Sequence, residues 1–256
     1  MIHVITAVNC EARPLKDLES DDLEIITGGV GKVNAAFAVG RVFPRPLTRA
    51  DLLSDAVVNI GICCSKDKEG LFLVNKITDS TTGRDFYPDI IRVSGLPECS
   101  LISSDDTVTD PESGFLYDME ASSIFEASSK LISPDRIIVM KIVSDHGDTS
   151  ELTSKKISDL IYGHIVEIRR AIDMLKESLQ SSGSSNKLCC DQLYSDLRAT
   201  ASMRVQIDEL LRFSESLGID GRELFEEAIR NTGEEKLSKE RSKEVILSVR
   251  HKLTSI

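Results

Sequence analysis

The 256-residue chain is long enough for one large domain or two, and its 41% hydrophobic and 29% charged residues are typical of a folded globular protein. The formal net charge of -11 makes nucleic-acid phosphates and anionic lipids poor partners, and no stretch approaches the length of a membrane span. The six cysteines form no C-x-x-C pair, so we expect neither a metal site nor disulfides, and a reducing, cytoplasmic location.

Short apolar runs rich in β-branched residues recur along the chain and predict strands that are buried on both faces. In chain order they are Val4–Val8, Leu23–Thr27, Ala56–Ile60, Leu71–Ile77, Ile90–Val93 and Arg136–Val143. Helical patterns occur between or after these runs, at Lys32–Val42, Met119–Leu131 and Leu152–Leu179. The alternation of strands and helices predicts an α/β sandwich with a largely parallel or mixed sheet.

The last third of the chain has a different pattern. Residues 180–186 read Gln-Ser-Ser-Gly-Ser-Ser-Asn, a polar break that predicts a flexible linker. Beyond it we predict one or two helices over Cys189–Leu217, a helix at Arg222–Arg230 capped by Asp220, and a last helix ending at Leu253. We therefore predict an α/β domain over residues 1–179, a linker over 180–186 and a helical appendage over 187–256.

Two glycine-containing segments follow predicted strands and are candidates for ligand contact. Residues 27–36, TGGVGKVNAA, open a helix, where glycines let the backbone approach a ligand and the helix N-terminus favours an anion. Residues 58–65, VNIGICCS, end a strand at Gly61, and the carboxyl ends of strands are where ligands bind in such sheets. Taken singly, both segments also fit ordinary turns.

Two acidic segments are candidates for chemistry. In residues 117–124, YDMEASSI, the carboxylate of Glu120 has two acceptor oxygens for the two hydroxyls of a diol, although an acid there also complements a helix dipole. In residues 139–148, VMKIVSDHGD, a strand ends at Asp145. A carboxyl group partly removed from water has a raised pKa and can donate a proton to a leaving group; the alternative is a simple Asx turn.

In this order, the four segments resemble the purine nucleoside phosphorylase and uridine phosphorylase superfamily, and in particular the bacterial 5′-methylthioadenosine/S-adenosylhomocysteine nucleosidases. The resemblance rests on residues 29–36 (GVGKVNAA), residues 118–121 (DMEA) and the Ser144-Asp145 pair, and it spans about residues 1–178. It implies a three-layer α/β sandwich of the nucleoside phosphorylase type with a mixed central sheet. It also implies that no cofactor or metal is needed, and that the chain forms a homodimer.

The resemblance also implies roles by position. Asp145 would protonate the purine at N7 or hydrogen-bond it, with Ser144 beside it, and Glu11 would activate the attacking water. Glu120 would bind the ribose 2′- and 3′-hydroxyls, with Met119 packed under the sugar. The remaining predicted substrate contacts are Gly61, Ile62 and Thr107.

The chain departs from the family pattern in three places. Lys141 stands where the family usually has Arg, and Ile62 with the following Cys-Cys-Ser replaces a polar turn. The segment before Glu120 is short and lacks the aromatic residue that stacks on the purine, a place that Phe115 or Tyr117 would take.

The predicted activity is hydrolysis of the N-glycosidic bond of a purine nucleoside such as methylthioadenosine or S-adenosylhomocysteine. Arg13, close to Glu11, leaves a phosphate-dependent phosphorylase open. A third interpretation, from another class, is a nucleoside-sensing module whose helical tail passes a signal to a partner. The last alternative is an unrelated α/β protein with chance motifs.

Overall fold

The structure is a computed structural model that describes residues 1–43, 55–234 and 237–254. The chain divides into two compact units, Met1–Leu179 and Gln180–Ile256. The strands are β1 (Ile2–Thr6), β2 (Leu23–Thr27), β3 (Ala56–Cys64), β4 (Leu71–Asp79), β5 (Asp85–Phe86), β6 (Glu98–Ser103), β7 (Phe115–Asp118) and β8 (Ile137–Asp145). The α-helices are α1 (Asn9–Ala12), α2 (Lys32–Val42), α3 (Ala121–Ser129), α4 (Ser154–Gly163), α5 (Ile165–Asp196), α6 (Ala201–Ser216), α7 (Gly221–Arg230) and α8 (Lys239–Thr254).

The eight strands form one mixed sheet, as predicted. Its order is β2-β1-β3-β7-β6-β4-β5, with β8 pairing with both β3 and β4. Strand β1 runs parallel to β2 and β3, and β3 runs parallel to β8, so these four strands end at the same edge. Strand β4 is antiparallel to β8, and β7 is antiparallel to β3.

Helices cover both faces of the sheet, which confirms the predicted three-layer sandwich. Successive residues of one strand enter different cores: Val4 packs with residues of α4 and α5, whereas Ile5 packs with residues of α2 and α3. Ile138 and Val139 of β8 divide in the same way. Because side chains alternate across a strand, a strand buried on both faces must be apolar at consecutive positions. Each such side chain contributes about 1.5–3 kcal/mol of burial free energy.

The predicted strand at Ile90–Val93 is wrong. Those residues form an irregular loop, in which the Arg92 side chain donates to the Asp135 carbonyl and to Ser178 Oγ, and the Arg92 backbone N–H donates to Asp89. Strands β5, β6 and β7 were not predicted. In β6 buried and less buried residues alternate, and β5 and β7 are short. None of these three strands therefore shows the continuous apolar run that marks the central strands.

The predicted helix Leu152–Leu179 is divided at His164, so that α4 and α5 are separate helices. The residues of the predicted linker, 180–186, lie within α5. Serine, glutamine and asparagine each cost a helix only a fraction of 1 kcal/mol, and Gly183 costs about 1 kcal/mol, so the polar composition does not by itself end a helix. Of the two alternatives for Cys189–Leu217, the structure has two helices, α5 and α6.

The second unit is helical and has its own apolar core. Phe225 of α7 is fully buried there, packed with residues of α6 and α8 such as Ile207 and Val249. Asp220 caps α7 as predicted, because its side chain accepts from the backbone N–H groups of Arg222 and Glu223. Within the ranges that the structure describes, no helix is both long enough and apolar enough to cross a bilayer.

Candidate active site

A cavity of ≈ 260 Å³ lies where β1, β3 and β8 end. Most of its wall is apolar and is built by side chains such as Val8, Ile62, Val108, Leu152 and Ile157. All of the predicted site residues except Gly61 line it, namely Glu11, Ile62, Thr107, Met119, Glu120, Ser144 and Asp145. Segments distant in the chain therefore meet at one small cleft, as expected where parallel strands end together.

Glu11 is held in place by three backbone N–H groups. It lies in α1, directly after β1, and its Oε2 accepts from Ala7 N at 2.8 Å and Val8 N at 3.0 Å. Its Oε1 accepts from Ile62 N at 2.8 Å and so links the ends of β1 and β3. The residue is only 2% exposed. An ionised carboxylate has about four acceptor positions, so three backbone bonds leave about one for a water molecule.

Gly61 lies behind Glu11 rather than in the cavity wall. A Cβ at this position would be 2.9 Å from Glu11 Oε1 and 3.5 Å from Lys141 Nζ. The absence of a side chain therefore makes room for two charged groups that approach the β3 backbone.

Lys141 is a buried ammonium group that pairs with Asp118. Its Nζ lies 2.7 Å from Asp118 Oδ2, and the two side chains are 2% and 0% exposed. Asp118 Oδ2 also accepts from the Ala121 backbone N–H at 2.9 Å, at the start of α3. Burial alone lowers the pKa of Lys141, but the neighbouring carboxylates of Asp118, Glu120 and Glu11 raise it above its ordinary value. At the position where the resembled family usually has Arg, this chain therefore has a Lys that forms a buried ion pair with Asp118 beneath the site.

Glu120 stands directly before α3 and reaches the glycine-rich turn that opens α2. Its Oε1 accepts from Gly31 N at 2.7 Å, and Gly31 has a φ of 90°, a conformation that favours glycine. Oε2 accepts no hydrogen bond from the part of the chain that the structure describes. Burial and the charge of Asp118 raise the pKa of Glu120, while Lys141 opposes that rise.

Asp145 ends β8 and is oriented by its neighbours in the chain. Ser144 Oγ lies 2.7 Å from Asp145 Oδ2 and 3.2 Å from the Cys63 carbonyl oxygen. The backbone N–H of Gly147 donates to Asp145 Oδ1 at 3.0 Å. The carboxyl group therefore has a defined direction before any ligand binds.

Sequence reasoning passed over several residues of the wall. Tyr117 and Asp118 precede the recognised Met-Glu pair, and Thr149, Leu152 and Ile157 follow Asp145. The sequence indicates Tyr117 only as a substitute for a stacking residue, and Asp118 only as part of a motif. Alternation along β7 and helical spacing in α4 were the available signals, but neither pattern shows which face meets a cavity.

The described lining carries negative charge. It includes five acids, Glu11, Asp106, Asp118, Glu120 and Asp145, whereas no Lys or Arg is among the described lining residues.

A wider and more open depression of ≈ 500 Å³ lies along α4. It is lined by Thr153, Lys155, Lys156, Asp159, Leu160, Gly163 and His164, of which none is a predicted site residue.

The chain is similar to solved nucleosidase structures. A 5′-methylthioadenosine/S-adenosylhomocysteine nucleosidase from Colwellia psychrerythraea, in complex with adenine, is 17% identical with a TM-score of 0.55, over 68% of this chain and 95% of that one. Futalosine hydrolase of Helicobacter pylori is 14% identical with a TM-score of 0.54, over 67% and 97%. The nucleosidase from S. pneumoniae, with a transition-state inhibitor, is 16% identical with a TM-score of 0.52, over 68% and 98%.

No protein-family model matches the chain, and the search of curated proteins found no match. At identities of this size the structural similarities show the fold, and they confirm the nucleoside phosphorylase type of sandwich. They extend over about two thirds of the chain.

Proposed function

We propose that the chain hydrolyses the N-glycosidic bond of a purine nucleoside. The observation that carries the proposal is the convergence of Glu11, Glu120 and Asp145 on one small, largely apolar cavity. These acids come from three distant segments, and breaking a glycosidic bond needs a proton donor, an oriented water and a group that holds the sugar. The nucleosidase fold supports the same conclusion.

Asp145 assists departure of the base. As the C1′–N9 bond breaks, its electron pair stays on the base, and N7 takes a proton from Asp145, so that a neutral purine leaves. The sugar develops oxocarbenium-like positive charge, which the carboxylates around the cavity stabilise because a low-dielectric wall strengthens their field.

Glu11 orients the nucleophile. Its remaining acceptor position takes a hydrogen bond from water, the water oxygen forms the bond to C1′, and the water's proton passes to Glu11. Three backbone bonds keep the carboxylate from rotating, so the water is held in one direction.

Glu120 binds the ribose. Its Oε2 accepts from the 2′- and 3′-hydroxyls, while Gly31 holds Oε1. Met119 packs under the sugar, and the remaining substrate contacts are Ser144, Ile62 and Thr107, which line the same cavity, with Gly61 behind it.

Hydrolysis is favoured over phosphorolysis by charge. A phosphate dianion needs Lys, Arg or free backbone N–H groups, and the described lining carries acids instead. Among the described residues, the ammonium group of Lys141 lies beneath this site, and it is already paired with Asp118.

The proposed substrates are methylthioadenosine and S-adenosylhomocysteine, which would give the protein a role in methionine salvage.

We also propose a homodimer in the cytoplasm. Val33 and Phe37 of α2 are 83% and 67% exposed and follow Val30 of the cavity wall in the chain, and exposed apolar groups of this kind are covered when two copies associate. The free thiols of the described cysteines, Cys10, Cys63, Cys64 and Cys99, suit a reducing compartment.

The test is free-base release from methylthioadenosine, S-adenosylhomocysteine, adenosine, inosine and futalosine, with and without phosphate. Release without phosphate is expected, and release only with phosphate would make the protein a phosphorylase.

Asp145→Asn should lower turnover by about 100-fold or more, because a general acid contributes a factor of about 10²–10⁴ to the reaction rate. Asp148→Asn is the matched control, since this exposed acid does not line the cavity. Nucleoside binding without release from any substrate would favour the sensing module.

A further inference from the structure

Three neighbouring strands place a row of side chains along one wall of the cavity. Cys64 of β3 pairs with Asp145 of β8 on one side and with Tyr117 of β7 on the other. Side chains of paired residues on adjacent strands point to the same face of a sheet. All three residues line the cavity, so Cys64 stands between the acid and the aromatic ring.

A register shift between β3 and β8, in which Ser144 is the extra residue of β8, creates this juxtaposition. Up to Cys63 the register pairs β3 and β8 residue by residue, with Cys63 opposite Val143. The register then shifts, so that Cys64 lies opposite Asp145 instead of Ser144. A bulge of this kind redirects a side chain at the end of a strand, and here it turns the thiol and the carboxyl group to the same face.

Cys64 is a neutral, space-filling group. The residue is 9% exposed, and its Sγ lies 3.9 Å from the carbonyl oxygen of Val108, which also lines the cavity. Burial and the neighbouring Asp145 raise the pKa of the thiol to about 12, so it stays protonated. Its steric size, rather than reactivity, is what it brings to the cavity.

Tyr117 closes the other end of the row. It is also 9% exposed, and its hydroxyl accepts a hydrogen bond from Glu112 N at 3.1 Å. This hydrogen bond to its hydroxyl holds the Tyr117 ring in place, so the ring lies beside Cys64 as part of the cavity wall.

We infer that Cys64 is a specificity-determining residue that limits the size of the base. This inference rests on the proposed function, which puts the purine N7 at Asp145. The two substituent positions that flank N7 are C8 and the exocyclic N6, so the group beside Asp145 on the same face, Cys64, contacts one of them. A purine with an added methyl group at that position meets the sulfur.

The first experiment measures binding of adenine, N6-methyladenine and 8-methyladenine to the full chain by calorimetry. The wild type should bind at least one methylated base about 10-fold or more weaker than adenine, since one methylene in a closed pocket changes affinity about 10–200-fold. Cys64→Ala should reduce that discrimination by a similar factor, and Cys64→Leu should weaken adenine itself about 10-fold or more. Cys99→Ala is the matched control, because Cys99 is a buried thiol that does not line the cavity.

The second experiment needs no turnover and does not depend on the variants. Adenine should protect Cys64 from methyl methanethiosulfonate, followed by mass spectrometry of peptides, with the half-buried thiol of Cys10 as an internal reference.

The outcomes separate this inference from the proposed function. Nucleoside hydrolysis with base selectivity unchanged in Cys64→Ala would overturn the inference alone. Base binding that depends on Cys64, without hydrolysis of any nucleoside, would support the inference and overturn the proposed reaction. No binding of any purine and no protection of Cys64 would overturn both.

Discussion

Replacing Lys141 by methionine tests how much the buried ion pair beneath the site stabilises the protein. The change keeps a long unbranched side chain and removes the ammonium group that lies 2.7 Å from Asp118. It leaves the Asp118 carboxylate 0% exposed, close to the buried acids Glu11 and Glu120. Asp118 Oδ1 lacks a hydrogen-bond partner among the described residues, so the Ala121 backbone N–H, which donates to Oδ2, is the described donor that remains after the change.

The expected loss is about 3–5 kcal/mol of unfolding free energy, the usual effect of removing one partner of a buried ion pair. A typical domain has only about 5–15 kcal/mol in total. The midpoint of thermal unfolding should fall by on the order of 10 °C, because a domain of this size loses about 2–4 °C per kcal/mol. Asp118→Asn combined with Lys141→Met should recover much of the loss, because the uncompensated charge is then gone.

Urea unfolding followed by circular dichroism measures these differences. Lys16→Met is the control, since the Lys16–Glu19 pair is exposed and its removal should leave the unfolding free energy unchanged. A loss below about 1 kcal/mol for Lys141→Met, the range of exposed pairs, would refute the reasoning. So would a double variant that is less stable than either single one.

Three further predictions concern the site and its surroundings. Glu120→Gln should lower kcat/KM for nucleosides about 10- to 100-fold through lost charge-assisted hydrogen bonds to the sugar, while calorimetry finds the adenine affinity unchanged. Gly61→Ala puts a Cβ 2.9 Å from Glu11 Oε1, so the carboxylate must move and nucleoside turnover should fall, with little change in adenine binding. The pKa of His146 is raised, because its ring hydrogen-bonds to the Ser65 carbonyl and to Glu69. The protonated ring therefore stabilises the fold fully below its ordinary pKa of 6.5, and this stabilisation is lost as the pH rises through the raised pKa. The difference in Tm between wild type and His146→Gln should therefore shrink between about pH 6 and pH 9; a difference independent of pH would contradict this.

Much of the fold was predictable because its cause is local in the sequence. Central strands such as β1, β3 and β8 are apolar at consecutive positions, and this pattern follows directly from burial on both faces. The errors have local causes as well. The Ile90–Val93 segment has the apolar residues of a strand, but Arg92 there bonds to distant groups instead of a sheet neighbour.

Candidate chemical groups were predictable from the ends of these strands. Asp145 and Glu120 stand where a strand ends or a helix begins, and such positions are visible in a sequence. Their roles in turnover stay predictions.

Only the tertiary structure decided which groups meet. Glu11 accepts from Ile62, 51 residues away, and Lys141 pairs with Asp118 on another strand. Cys64 faces Asp145 because of a register shift that no residue pattern marks. Side-chain periodicity determines which residues of a strand share a face, whereas contacts between strands depend on their order and register. The sequence by itself therefore determined the α/β architecture and the carboxylates available for chemistry, and the pairing of the strands decided the shape, charge and size limit of the cavity.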